Sequence, residues 1–291
     1  MRRPSRWARP ADVFVTGRRP DGPAIRPGSS SAHPVRRVRR HRASSAPASE
    51  PVRRMPGTTS RRHDLGMRPR IRITVLPRPP RAVVLVIHGG DGDGTAPVRA
   101  WQPAVVRMRL LAAHIARRTT DVAVLRLLNR ARGLGERPLA DVDWALSEIG
   151  RRFPSAPIWL VGHSLGGTVA LAAAGRTGVE GVVALSPWLS GQEEVDPLVG
   201  RTSLVLHGAQ DTVTDPGLSC ELVRRARDRG AAASLVLVRN GGHGMLRRYG
   251  TFHRLCSGFI RAASGGRCGA PRRREEHLVD RLWRTPGAGE M

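Results

Sequence analysis

The sequence contains no lysine. All 49 of its basic residues are arginine, set against 23 acidic residues, and the formal charge is +26 over 291 residues. An excess of Arg, Ala, Gly and Pro without Lys is what GC-rich coding produces, so the charge alone does not define a nucleic-acid-binding protein. It is also uneven: residues 1–66 hold 16 Arg and four acids, whereas residues 67–260 hold 26 Arg and 15 acids. Cysteine is scarce. Cys220, Cys256 and Cys268 are odd in number and lack paired spacing, which excludes a disulfide framework and a Cys-based zinc site. No run of about 18 apolar residues occurs, so no transmembrane helix is expected. The N-terminus lacks the apolar core, of roughly 7–15 residues, of a secretory signal. These absences predict a cytoplasmic protein with no membrane partner and no metal.

Large apolar residues are sparse in residues 1–66, which are rich in Arg, Pro, Ser and Ala and show no period. Such a segment is expected to be a disordered tail. It reads as a basic arm for nucleic acid or acidic surfaces, as an organelle transit peptide, or as sequence upstream of a true start at Met67; the last is favoured. Residues 264–291 read as a second disordered basic tail. Nucleic-acid binding, if any, is assigned to the tail alone. The periodic apolar content lies in residues 67–263, enough for one domain with a real core.

Within that domain the chain alternates in type. Strand-like runs fall at 71–76, 82–87, 121–127, 157–161, 181–185, 202–207 and 234–238. Val105, Met108, Leu111, Ala112 and Ile115 recur at helical spacing over 101–118. Asp141 and Asp143 are read as opening a helix with Trp144, Ala145, Leu146 and Ile149 on its apolar side. Asp215-Pro216 reads as an N-cap followed by proline at the first helical position. The alternation predicts an α/β fold: a mostly parallel sheet with helices on both faces.

Chemistry enters at Gly162-His163-Ser164-Leu165-Gly166, between the apolar run Pro157–Val161 and a helical stretch. Strand, Gly-x-Ser-x-Gly, helix is the form of a nucleophile elbow, in which a strained turn presents the serine oxygen and bulky residues two positions away on either side would collide. A serine hydroxyl needs a base, and the base needs an orienting acid. Asp211 follows the run Thr202–Gly208, and His243 sits among glycines after Ser234–Val238. The chain order Ser, Asp, His suits this architecture. Ser164, Asp211 and His243 are therefore the catalytic candidates. The oxyanion-hole candidates are the backbone N–H groups of Leu165 and Gly90, the latter in His88-Gly89-Gly90 at the end of the strand 82–87, with Gly89 or Asp91 as alternatives to Gly90.

Taken together, His88-Gly89-Gly90, Gly162–Gly167, Leu206–Asp211 and Gly242-His243 resemble an α/β-hydrolase of the small serine esterase, dienelactone-hydrolase or serine-aminopeptidase-like kind. The resemblance spans most of residues 71–263. It implies cleavage of an ester, thioester or amide of a small-molecule acyl substrate through an acyl-enzyme, without a cofactor. It leaves open the substrate, the oligomeric state and acyl transfer to a nucleophile other than water. A noncatalytic basic binding protein with a vestigial elbow is the alternative from another class.

In such folds a lid is inserted where this chain has about Ser186 to Arg201, too short for a large lid domain. The site is expected to be open, with Trp188 and Leu189 at the substrate rim and small or exposed acyl groups favoured. His88 and His207 read as packing and loop-orienting residues, and His163 as a helper at the elbow. Asp215 is the rival acid, better explained as a cap. His253 is the rival base, better placed on a helix. Asp91-Gly92-Asp93-Gly94-Thr95 lacks the acids of a calcium loop and the Lys-Ser/Thr of a phosphate loop, so neither metal nor nucleotide is expected there.

Overall fold

Long apolar runs bounded by glycine and charge form the strands, and the three- and four-residue apolar repeats form the helices. The computed structural model describes residues 13–15, 68–90, 96–131, 133 and 136–265. These residues belong to one compact unit. Its strands are β1 (Val13–Val15), β2 (Arg70–Val75), β3 (Ala82–Ile87), β4 (Val122–Leu128), β5 (Ile158–His163), β6 (Val179–Leu185), β7 (Thr202–Gly208) and β8 (Ala232–Val238). Its helices are α1 (Pro103–Arg118), α2 (Glu136–Arg152), α3 (Leu165–Ala172), α4 (Pro216–Asp228) and α5 (Tyr249–Ala263).

The sheet order is β1-β8-β7-β6-β5-β3-β4-β2. Neighbours from β4 through β3, β5, β6 and β7 to β8 pair in parallel, whereas β2 on β4 and β1 on β8 are antiparallel edges. Every residue of β3 and β5 is buried. That explains their unbroken apolar reading: a parallel strand covered on both faces has no solvent side to make polar. Alternate side chains feed two separate cores. One joins Val83, Leu85 and Ile87 to α2, α3 and α4. The other joins Ala82, Val84 and Val86 to α1 and α5 through Met108, Leu111, Ile115, Phe252 and Phe259.

Two local readings need correction. Helix α2 starts at Glu136, not at Asp141. Asp141 lies inside it, 1 % exposed, and accepts from the Arg130 backbone N–H at 2.8 Å and from Arg130 Nε at 2.5 Å; Asp143 pairs with Arg176 at 2.8 Å. These carboxylates fix tertiary contacts instead of capping the helix. Asp215 does cap α4, accepting from the Gly217 N–H at 2.7 Å. The tail readings for 1–66 and 264–291 fall on residues outside those described, apart from Val13–Val15, whose backbone extends the sheet, and residues 264–265 beyond α5. The Asp91–Thr95 segment lies outside them as well. Between β6 and β7 the chain forms one short 3-10 turn, Asp196–Leu198, and no α-helix, so no lid domain is inserted there. Among the described residues, no helix is long and apolar enough to cross a membrane.

Candidate active site

Ser164 joins β5 to α3 with φ 55° and ψ −126°, in the left-handed half of backbone space. A non-glycine residue there carries strain of about 1–3 kcal/mol and persists only where its surroundings enforce it. They do so here through four hydrogen bonds. The Ser164 N–H donates to the Leu185 carbonyl at 3.0 Å, while its own carbonyl accepts from Gly167, Thr168 and Trp188 N–H groups at 2.8, 3.2 and 3.3 Å. Side chains flanking the turn would indeed collide. A Cβ on Gly162 would lie 2.0 Å from the Gly166 carbonyl oxygen, and one on Gly166 would lie 2.5 Å from that of His88.

The other two candidate residues arrive from neighbouring strands. Ends of β7 and β8 are laced together: Ala209 N–H donates to the Val238 carbonyl and Gln210 N–H to that of Gly241, both at 2.9 Å. Gly208 passes so close to Gly241 that a Cβ would sit 2.4 Å from its oxygen. Asp211 and His243 follow these two strand ends. His243 Nδ1–H donates to Asp211 Oδ2 at 3.0 Å, and Ser164 Oγ–H donates to His243 Nε2 at 3.1 Å. The three side chains proposed from sequence thus form one hydrogen-bonded chain across three loops.

Asp211 is held from several directions. Its Oδ1 accepts from Val213 and Thr214 N–H groups at 2.9 and 3.0 Å, and its Oδ2 from Thr214 Oγ1 at 3.0 Å. Burial alone would push its pKa up. The two backbone donors and the adjacent His243 outweigh burial and hold the carboxyl at about 2. The Asp-x-x-Thr spacing is an Asx-type turn that the sequence carried in Asp211–Thr214, and Thr214 was overlooked there. Below this loop the fully buried His207 receives the Ser219 hydroxyl on Nδ1 at 2.7 Å and donates from Nε2 to the Thr214 carbonyl at 3.3 Å. Burial lowers its pKa. His88 acts likewise at the end of β3, with Nδ1 donating to the Gly89 carbonyl at 2.6 Å and Nε2 accepting from the Asn129 N–H at 3.2 Å. Both are loop-orienting residues.

His163 has a more direct connection. Its Nε2–H donates to the carbonyl of His243 at 2.8 Å, and the two rings stand 4.9 Å apart. Nδ1 is left as an acceptor, and Arg107 of α1 approaches it at 3.5 Å. Burial, then the Arg107 charge, lower the His163 pKa to about 3, so the ring is neutral. Arg107 also reaches toward Gly244, the residue after His243. Sequence reading did not single out this arginine, since nothing in the spacing of α1 signals a contact with a loop more than a hundred residues away.

Gly89 lies against the nucleophile, where a Cβ would come 3.1 Å from Ser164 Cβ; Gly90 follows it, and Leu165 is the first residue of α3. Trp188 is 43 % exposed beside the elbow, and its carbonyl accepts from the Thr168 hydroxyl. Leu189 is not at a rim. It is 8 % exposed and packed into the core shared by α2, α3 and α4. The rival base His253 is buried on α5 among Tyr249 and His114 rings. Among the described residues no group of three or more His, Cys, Asp or Glu side chains is arranged to hold a metal ion.

Comparison with known proteins accords with this fold. The profile of the alpha/beta hydrolase family matches residues 83–204. Among solved structures, the chain is similar to an α/β serine hydrolase without a lid from Xanthomonas campestris (17 % identity, TM-score 0.53, covering 70 % of this chain and 91 % of that one). It is also similar to a putative α/β hydrolase from Agrobacterium tumefaciens (18 %, TM-score 0.52, 69 % and 94 %). A third is Est1E from Butyrivibrio proteoclasticus with ferulic acid bound (15 %, TM-score 0.51, 68 % and 96 %). No curated protein matches the sequence.

Proposed function

We propose, from the premise that this chain belongs to the α/β-hydrolase superfamily, that it is a serine hydrolase cleaving an ester, thioester or amide of a small acyl substrate, with carboxylic ester hydrolysis favoured. The observation that carries this reading is the unbroken hydrogen-bond chain from Asp211 through His243 to Ser164. Ser164 Oγ attacks the carbonyl carbon while His243 Nε2 takes its proton. Asp211 keeps Nδ1 protonated and stabilises the imidazolium as it forms. The carbonyl oxygen gathers charge toward the N–H groups of Leu165, the first residue of α3, and Gly90, in the loop that follows β3. His243 then returns the proton to the leaving group, and water activated by the same nitrogen releases the acyl group. No step requires a cofactor. Acyl transfer to another acceptor would use the same residues, and the absence of a lid domain favours acyl groups that need no enclosing cap.

Labelling by a fluorophosphonate probe tests the proposal. The wild-type chain is expected to label and the Ser164→Ala variant to remain unlabelled. A folded wild-type protein that takes up no probe would leave the noncatalytic reading in its place.

A further inference from the structure

The two faces of the sheet differ in charge. The side built from α2, α3 and α4 mixes signs: Arg151 meets Glu148, Arg176 meets Asp143, and Arg224 meets both Glu221 and Asp228. On the other side, neither α1 nor the segment 239–263 that carries the catalytic-candidate histidine and α5 contains a single Asp or Glu. Those two stretches hold nine arginines. They are packed on one another across a shared core, so the arginines they expose belong to one surface.

That surface is also apolar where it borders the candidate site. Leu110 of α1 is 56 % exposed, and Leu246 and Tyr249 after His243 are 75 % and 62 % exposed. Contacts between the two elements place them together. Arg107 and Leu246 both lie over Gly244, and two turns along α1 the His114 ring packs on His253, which packs on Tyr249. Leu110 stands between Arg107 and His114 on the same ridge of α1. Val213 is 66 % exposed on the acid loop, two residues past Asp211.

We infer that the α1/α5 face docks on an anionic lipid surface. Arginines from two stretches that contain no Asp or Glu of their own meet headgroup phosphates, and the aliphatic side chains of Leu110 and Leu246 enter the acyl boundary, with Tyr249 at the headgroup level. Charge complementarity selects a polyanion. The two protruding leucines select lipid over duplex nucleic acid, whose non-specific binding rests on phosphate contacts and gains nothing from exposed aliphatic side chains. The sequence expectation of no membrane partner rested on the lack of a spanning segment, and peripheral docking requires none. The inference stands independently of the hydrolase proposal, because it concerns a surface and not the reaction.

Cosedimentation of the full chain with vesicles of equal parts phosphatidylglycerol and phosphatidylcholine tests it, with pure phosphatidylcholine vesicles alongside. Binding to the mixed vesicles only is expected. The L110S/L246S variant should bind at least roughly tenfold more weakly, and R117Q and R247Q should each lose roughly fivefold. Thermal unfolding checks each fold, and single leucine variants serve if the double variant unfolds. No vesicle binding overturns the inference. So does binding that survives every one of these substitutions, which would belong to the basic tails. So does duplex DNA that displaces the vesicles and loses affinity through the same leucine changes.

Discussion

The Nε2–H of His163 donates to the backbone carbonyl of His243 at 2.8 Å, tying the residue before the nucleophile to the residue proposed as its base. Serine and histidine are therefore connected twice: once through the side chains that would react, and once through a neutral, buried ring beneath them. Removing that ring should free the loop that carries His243. His163→Ala is expected to lower kcat on a short soluble ester by roughly 10²-fold, the scale of a 1 Å misplacement at a reacting centre, with a much smaller change in KM. His163→Gln, which restores an N–H donor, should recover part of the loss. Equal losses in both variants would show that the bond to His243 is not what matters.

Asp211 is acidified by bonds that come from its own turn. Asp211→Asn would offer an amide where His243 needs an acceptor, and kcat should fall on the order of 10³–10⁴-fold. Thr214→Val deletes the hydroxyl that donates to Oδ2 but leaves both backbone donors. A loss of only a few-fold is expected there. Steady-state kinetics on both variants gives the comparison, and a Thr214→Val loss as large as that of Asp211→Asn would contradict this division of roles.

Acid should weaken the fold in two stages. His163 is held near 3 and His114 and His253 near 4, all by burial first. Their unfolded forms take up protons near pH 6.5, so as pH drops from about 6.5 toward 4 the unfolded state binds more protons than the native one. Stability is lost over that window. The Asp211 carboxyl, lowered to about 2, adds stability above its unfolded value near 4 that is lost as pH falls further. Denaturant unfolding between pH 7 and 3 should show the first loss well above pH 4. His163→Gln should flatten it, and a stability constant down to pH 4.5 would contradict the assignment.

Two glycines should respond to alanine with opposite signs. Gly162 has no space for a Cβ, because the Gly166 backbone fills it at 2.0 Å. Gly162→Ala should abolish probe labelling or prevent folding. Gly150, in the interior of α2, has nothing within 4 Å of its absent Cβ. Gly150→Ala should raise stability by about 0.5–1 kcal/mol through helix propensity, read as a rise of roughly 1–4 °C in Tm.

Much of the fold was legible because burial on both faces leaves a simple trace. All seven strand-like runs became β2 to β8, and β3 occupies the residues expected of it. The site residues were legible because each sits at a strand end marked by glycine. What escaped depended on direction or distance. Leu189 and Trp188 are adjacent and both apolar, and only the packed chain decides which turns inward. Asp141 resembles a helix start, yet its partner Arg130 lies on a preceding loop. Val13–Val15 is too short to stand out among arginine and proline. Arg107 and His163 meet only because α1 covers the sheet face that takes Trp159 and Val161 of β5, at whose end His163 lies.

The strand order has a kinetic consequence. The Ser164 and His243 side chains meet across 79 positions of sequence, and β8, which delivers His243, pairs in parallel with β7 near one edge of the sheet. The partners in that pairing are 30 positions apart, as in Thr202 with Ala232, and non-local parallel pairings form slowly. A nascent chain already holding β5 and its serine would be chemically silent until residues beyond 243 had emerged and β8 had docked. If Ser164 acts as proposed, its labelling by the fluorophosphonate probe during refolding would report the docking of β8, and the delay of that labelling behind secondary-structure formation would measure how late the last parallel strand arrives.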